Sequence, residues 1–218
     1  MKKAIVNLAT HIDRYKFGQE RLKKSYINTH QTDEVHLLTY IGEGAVGSPS
    51  HKKNPYAFKI YAIEDAYKMG FTKVLWLDSS MVFVKNSKPI FDWIDEKGFF
   101  FEEAGHWTGS WCNDRTLDYF KITREEAMTM PMFSAGFTGL DLNNPTTMEF
   151  FQRWKQAMLD GQFIGERSNH RHDMTCASII ANQMSLHKNY SPDGNYFAFI
   201  SENHPTPKKS AVCYLKEL

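Results

Sequence analysis

The chain has 218 residues, 42% hydrophobic and 14% aromatic, enough for a sizeable core in one domain. Its 26 Lys plus Arg against 25 Asp plus Glu leave a net charge of +1, with no general electrostatic drive toward nucleic acid or an acidic membrane surface. Cys112, Cys176 and Cys213 form no CxxC pair, which excludes a Cys-rich zinc site and a disulfide framework and fits a reducing, cytoplasmic setting.

The N-terminus has two lysines but no long apolar stretch, so it reads as a first strand, Ala4 to Leu8, and not as a signal peptide. No run approaches the roughly 18–20 apolar residues a membrane helix needs. Ala9-Thr10-His11 is a polar loop at that strand's carboxyl end. Tyr15 to Asn28 follows as a helix, and Val35 to Tyr40 as a second strand. Gly42 to Lys53, rich in Gly, Ser and Lys, reads as a mobile loop. Asn54-Pro55 opens a helix, proline being favourable at a first helical position. Tyr56, Ile60, Ile63 and Tyr67 recur on it at helical spacing, and Gly70 ends it.

Val74 to Leu77 is apolar without alternation, as in a strand buried on both faces of a mostly parallel sheet. Asp78-Ser79-Ser80 interrupts it, and Met81 to Val84 resumes as a short strand. Pro89 to Glu96 fits a helix and Gly98 to Phe101 a strand. Glu102 to Asn113 reads as an exposed loop that carries Trp107 and Trp111. Asp114 to Phe120 and Thr123 to Met130 are short helices, the second opened by Thr123-Arg124-Glu125-Glu126 at capping-box spacing. Phe133 to Leu142 is strand-like, with Ala135, Gly136 and Gly139 marking close backbone approach. A helix runs from Asn144-Pro145-Thr146 to Leu159, presenting Phe150, Trp154 and Met158. After a polar loop, Gly161 to Arg171, a helix begins at Asp173 with a stripe of Met174, Ala177, Ile180, Ala181 and Met184. Ser185 to Lys188 and Tyr196 to Ile200 are strand candidates. The alternation of strand and helix predicts an α/β fold with a mostly parallel central sheet and helices on both faces.

Chemistry concentrates where strands end and helices start, because ligands in such sheets bind outside the carboxyl ends of the strands. Asp78 at the end of the central strand, beside Ser79 and Ser80, is where a hydrated metal or a sugar hydroxyl could sit, or else these residues form a polar turn between two strands. Ala9, Thr10 and Tyr15 face the same crevice. The chain has no P-loop, GxGxxG, HExxH or GxSxG.

The order of parts resembles a GT-A-type glycosyltransferase over about residues 3 to 209. Leu75-Trp76-Leu77-Asp78-Ser79-Ser80 stands where that family has Asp-x-Asp, Ser134 to Pro145 is similar to a later family segment, and His170-Arg171-His172-Asp173 to a following helix start. The resemblance implies one GT-A-like domain over 1–218. On that resemblance residues 1 to about 100 bind a nucleotide-sugar donor, with Ala9, Thr10 and Tyr15 at its base or ribose (Tyr15 otherwise packing at a helix start) and Asp78, Ser79 and Ser80 as donor contacts or turn residues. Residues from about 101 form a smaller mixed acceptor-side lobe. It implies transfer of a sugar, with UDP-sugar the first donor to consider, to a glycan or other hydroxyl acceptor, by a chain that can also be part of a larger enzyme. Mn²⁺ or Mg²⁺ would be held by Asp78, Ser80 and His204, although Ser80 stands in place of the second carboxylate. If the metal is dispensable, Lys59, Lys208 or Lys209 balances the diphosphate; otherwise each is a surface charge. Asp173 is the acid/base or sugar-orienting carboxylate, or an N-cap. Asp114 grips the donor sugar, or caps its helix as Asn113 also could. Trp107, Trp111, His170 and His172 contact the acceptor, or are core and loop residues. The rival functions are a nucleotidyltransferase making nucleotide sugars, against which the glycine-free Ala9–Arg14 loop argues, and a non-catalytic nucleotide- or glycan-binding module.

Overall fold

The computed structural model describes residues 2–30 and 34–186, and the backbone of 197–199. The first half supplies β1 (Lys2–Ala9), α1 (Asp13–Thr29), β2 (Val35–Ile41), α2 (Ala57–Lys68) and β3 (Phe71–Leu77), followed by β4 (Met81–Phe83), α3 (Lys88–Lys97) and β5 (Phe99–Phe100). The second half supplies β6 (Glu103–Trp107), α4 (Asp114–Phe120), α5 (Arg124–Ala127), β7 (Pro131–Phe133), β8 (Phe137–Asp141), α6 (Pro145–Leu159), α7 (His172–Gln183) and β9 (Phe197–Phe199).

A 5-stranded sheet has the order β2-β1-β3-β8-β5. β1 pairs in parallel with β2 and β3, while β8 is antiparallel to both β3 and β5. The sheet is therefore mixed, with β8 alone reversed among its strands. Side chains alternate faces along each strand. Val74 and Trp76 of β3, with Ala4, Val6 and Leu8 of β1, pack into one core with residues of α2, α6 and α7. Leu75, Leu77 and Ile5 pack into the other with Leu22 of α1 and Ile90, Phe91 and Ile94 of α3. Helices thus cover both faces, as expected, and β3 is buried on both. Each fully buried large apolar side chain there contributes roughly 1.5–3 kcal/mol.

Several expectations are corrected locally. The loop expected over Glu102–Asn113 holds β6, paired antiparallel with β7, and a 3₁₀ turn at Thr108–Trp111. The strand expected over Phe133–Leu142 is two strands, β7 and β8, because Ser134-Ala135-Gly136 leaves the ladder and the Gly136 carbonyl instead accepts a hydrogen bond from Asp78 N at 2.7 Å. Pro55 is not at the first position of α2; the helix starts at Ala57 after Tyr56, whose φ of 59° is left-handed. The Gly42–Lys53 segment includes a 3₁₀ turn, Glu43–Val46, closed by Ser48 N donating to the Glu43 carbonyl. Of the strand expected at Ser185–Lys188, Ser185 is in a turn, Leu186 in a 3₁₀ turn, and the rest lies outside the described residues. β9 falls where the last strand was expected and pairs antiparallel with β4.

Candidate functional site

β1 and β3 run side by side in parallel, and the helices that follow β1 and β2 cross on opposite faces of the sheet. A crevice outside the carboxyl ends of such strands is the usual ligand site of an open α/β sheet. Two connected cavities occupy it. A groove of 950 Å³ runs past Thr10, Arg14, Tyr15, His51 and Lys52. A smaller cavity of 330 Å³ is bounded by Lys59, Ser134, Gly136, Arg171 and Asp173. Both reach Tyr56, Asp78, Ser80, Arg167 and His172, so they meet at the corner that follows β3.

That corner is fixed from inside. Asn7, fully buried in β1, donates from Nδ2 to the Leu77 carbonyl at 2.6 Å and to Ser79 Oγ at 3.2 Å. Gln19 of α1 donates to Asn7 Oδ1 at 2.7 Å and to the Tyr40 carbonyl at 2.9 Å, which ties the corner to β2. Met81 N donates to the Asp78 carbonyl at 2.9 Å and closes the turn. Asp78 lies two residues beyond Trp76, on the same face, and its Oδ1 accepts from Trp76 Nε1 at 2.8 Å.

Lys59 sits at the floor of the smaller cavity. It is 2% exposed, which corrects the reading of it as a surface charge. Its Nζ donates to the Ala135 carbonyl at 2.6 Å and lies 2.9 Å from Asp173 Oδ2 and 3.2 Å from Asp78 Oδ1. Its cation also faces the rings of Tyr56 and Trp76, at 5.2 and 5.7 Å. Burial works to lower the lysine's pKa, but Asp173 and then Asp78 outweigh it, so the ammonium is held charged above its usual range. Burial pushes the Asp173 carboxyl up, against the pull of Lys59. The approach of Lys59 to Asp173 is a charge contact, and Oδ2 has no aligned hydrogen-bond donor among the described residues.

The structure distributes the remaining sequence candidates unevenly. Thr10 and Tyr15 line the groove, and Arg14 lies over the Tyr15 ring at 4.7 Å. Ser79 lines the groove by the corner but spends its hydroxyl on Asn7 and the Leu8 carbonyl. Ala9 lines neither cavity; its carbonyl accepts from Gly42 N at 2.7 Å. Asp114 is also outside both, highly exposed and ion-paired with Arg124 at 2.5 Å, while Asn113 is the cap of α4. Trp107 is half-exposed and lines neither; Trp111, partly buried, also lines neither, with the Arg171 guanidinium 3.9 Å from its ring centre. His170 is fully buried, donating from Nε2 to the Gln162 carbonyl at 2.8 Å, and its pKa is lowered to about 4, chiefly by burial. It is a neutral loop anchor and lines neither cavity. His172 does reach both cavities. It has a left-handed φ of 50° and donates from Nδ1 to the Phe163 carbonyl at 2.9 Å, which leaves Nε2 as an acceptor in the neutral ring. His204, Lys208 and Lys209 lie outside the described residues.

A divalent cation held by the protein at Asp78 needs several hard oxygen ligands. Here Asp78 Oδ1 is already engaged by Lys59 and Trp76, and Ser80 adds only a neutral hydroxyl. Among the described residues no group of three or more His, Cys, Asp or Glu could hold a metal ion. Of the expected ligands Asp78, Ser80 and His204, the first two alone are described, and they offer a cation one uncommitted carboxylate oxygen and a neutral hydroxyl.

No protein-family model matches the chain, and no curated protein matches it in sequence. Solved structures similar to it include mouse xyloside xylosyltransferase 1 in its apo form, at 10% identity and a TM-score of 0.47, covering 84% of this chain and 82% of that one. The apo bifunctional glycosyltransferase WbbM is similar at 12% identity and a TM-score of 0.49, over 84% of this chain and 37% of that one. The galactosyltransferase LgtC with donor and acceptor sugar analogues is similar at 14% identity and a TM-score of 0.39, over 83% and 70%.

Among the described residues no helix is long and apolar enough to cross a membrane. Residues that escape local sequence patterns complete the site. Arg167 and Arg171 come from a polar loop without periodicity. Asn7 and Lys59 do carry a signal, a single polar residue within an otherwise apolar strand or helix stripe.

Proposed function

We propose that the chain is a glycosyltransferase that takes a sugar from a nucleotide-diphosphate sugar, UDP-sugars being the first to test, and passes it to a hydroxyl acceptor. One observation carries this reading: a long groove and a small polar cavity join at Asp78-Ser79-Ser80, beyond the carboxyl ends of parallel β1 and β3. The groove suits an extended nucleotide, with the base and ribose by Thr10 and Tyr15. The smaller cavity suits the sugar, with carboxylate groups to accept its hydroxyl hydrogen bonds. The bond from the sugar's anomeric carbon to the diphosphate oxygen breaks, and one to the acceptor oxygen forms. The acceptor's proton passes to the Asp173 carboxylate, whose burial makes it a stronger base than an exposed aspartate. The free oxygen of Asp78 orients a donor hydroxyl. The nucleoside diphosphate leaves through the groove.

The test is release of nucleoside diphosphate from a panel of nucleotide sugars, with and without hydroxyl acceptors, by the parent chain and Asp78→Ala. Turnover that falls at least about a hundredfold in the variant supports the reading, as expected for loss of a charged contact to the reacting sugar. Full activity in the variant removes Asp78 from the site. Tight nucleotide-sugar binding with no turnover over a broad acceptor screen replaces the enzyme with a binding module.

A further inference from the structure

We propose that guanidinium groups, Arg167 with Arg171, hold the donor diphosphate in place of a protein-bound divalent cation; this rests on the glycosyltransferase reading above. A departing diphosphate needs positive charge beside it. At Asp78 a metal would find one uncommitted carboxylate oxygen, a neutral Ser80 hydroxyl, and the Lys59 ammonium 3.2 Å from the other carboxylate oxygen. Lys59 cannot take over the phosphate itself. It is buried, already shared between Asp173 and Asp78, and hydrogen-bonded to the Ala135 carbonyl.

Arg167 stands differently. It is exposed, lines both cavities where they meet, and makes no ion pair or hydrogen bond with any described residue. Arg171 lines the smaller cavity with its guanidinium carbon 3.9 Å from the centre of the Trp111 ring, and no described carboxylate pairs with it. A planar guanidinium offers two parallel N–H donors to a phosphate, a geometry that lysine lacks. Lys52 adds a further cation along the groove. The same charges that attract a diphosphate repel a divalent cation, so the two modes of neutralisation compete for one place.

Calorimetric titration of the full chain with UDP, GDP and dTDP, and with inorganic pyrophosphate, in EDTA and in MnCl₂ decides this. The expected result is a Kd in EDTA within about threefold of that in Mn²⁺. Arg167→Ala should weaken binding about ten- to hundredfold in both buffers, the worth of a charge-assisted contact. Arg167→Lys should recover only part of it. Circular dichroism, unchanged in the exposed-site variants, separates a binding loss from misfolding. Binding that vanishes in EDTA overturns the proposal and leaves the transferase reading intact. Metal-independent binding that Arg167→Ala does not weaken overturns the arginine assignment alone. No nucleoside diphosphate binding in either buffer overturns both.

Discussion

Lys59→Met removes a cation from between two carboxylates while keeping most of the aliphatic stem and its packing. Taking one partner from a buried ion pair costs about 3–5 kcal/mol, because the remaining charge stays buried without compensation. Asp173 carries most of that cost, since its side chain is 4% exposed. Asp78, at 33%, is partly screened by water and adds little. The Ala135 carbonyl, 2.6 Å from Nζ, also loses its donor. The expected loss is therefore about 3–5 kcal/mol, within the roughly 5–15 kcal/mol stability of a natural domain, so the variant should still fold. Its pH dependence has a definite sign. Burial raises the folded-state pKa of Asp173 above the usual 3.8, and without Lys59 nothing comparable opposes it. An acid raised on folding stabilises the protein below its unfolded pKa, and that contribution is lost as pH rises through the folded pKa. The defect should be larger at pH 8 than at pH 5. Urea unfolding at both pH values measures it, and Lys59→Met/Asp173→Asn should recover about 2 kcal/mol or more by removing the orphaned charge. A single variant within about 1 kcal/mol of the parent, or an equal loss at both pH values with no recovery in the pair, would refute the account of Lys59 as a buried charge clamp.

Gly18→Ala places a Cβ in α1 against the Ser79 backbone carbonyl. Backbone cannot swing aside, so a net loss of about 1–3 kcal/mol is expected in urea unfolding, together with weaker nucleotide binding as the Asp78–Ser80 corner shifts. A gain of about 1 kcal/mol, the helix-propensity effect alone, would show that the contact does not exist. Thr123→Ala breaks the capping box with Glu126 and should cost about 1 kcal/mol of stability, with nucleotide affinity unchanged because α5 lines neither cavity. The losses of turnover in Asp78→Ala and of diphosphate affinity in Arg167→Ala test the site from its two sides.

The layered fold was legible because its signals are local. The unbroken apolar run of β3, the polar corner after it and the helical stripe of α6 each state their surroundings in a few neighbouring residues. The reversal of β8 was not legible, since a strand's direction depends on how the chain returns to the sheet and not on its own composition. Asp114 and Trp107 lay in segments whose composition suits a ligand equally well, but Asp114 turned to Arg124 and Trp107 to solvent. His170 showed the opposite failure: a histidine in a polar loop that folds inward to bond the Gln162 carbonyl. Lys59 was partly legible. It falls three residues after Tyr56 and four before Ile63, on the apolar stripe of α2, where a lone charge must find a buried partner. That its partners are Asp78 and Asp173, far apart in sequence, is a property of the assembled sheet.

The ammonium shared by two carboxylates also binds three distant positions into one heritable unit. Neutralising residue 59 alone strands a charge at 173, and neutralising 173 alone leaves the buried lysine with only the partly exposed carboxylate of 78. Substitutions that survive at these positions should therefore arrive in compensating pairs. Across descendants of this sequence, residues 59 and 173 would drift together while the apolar residues around them exchange one at a time.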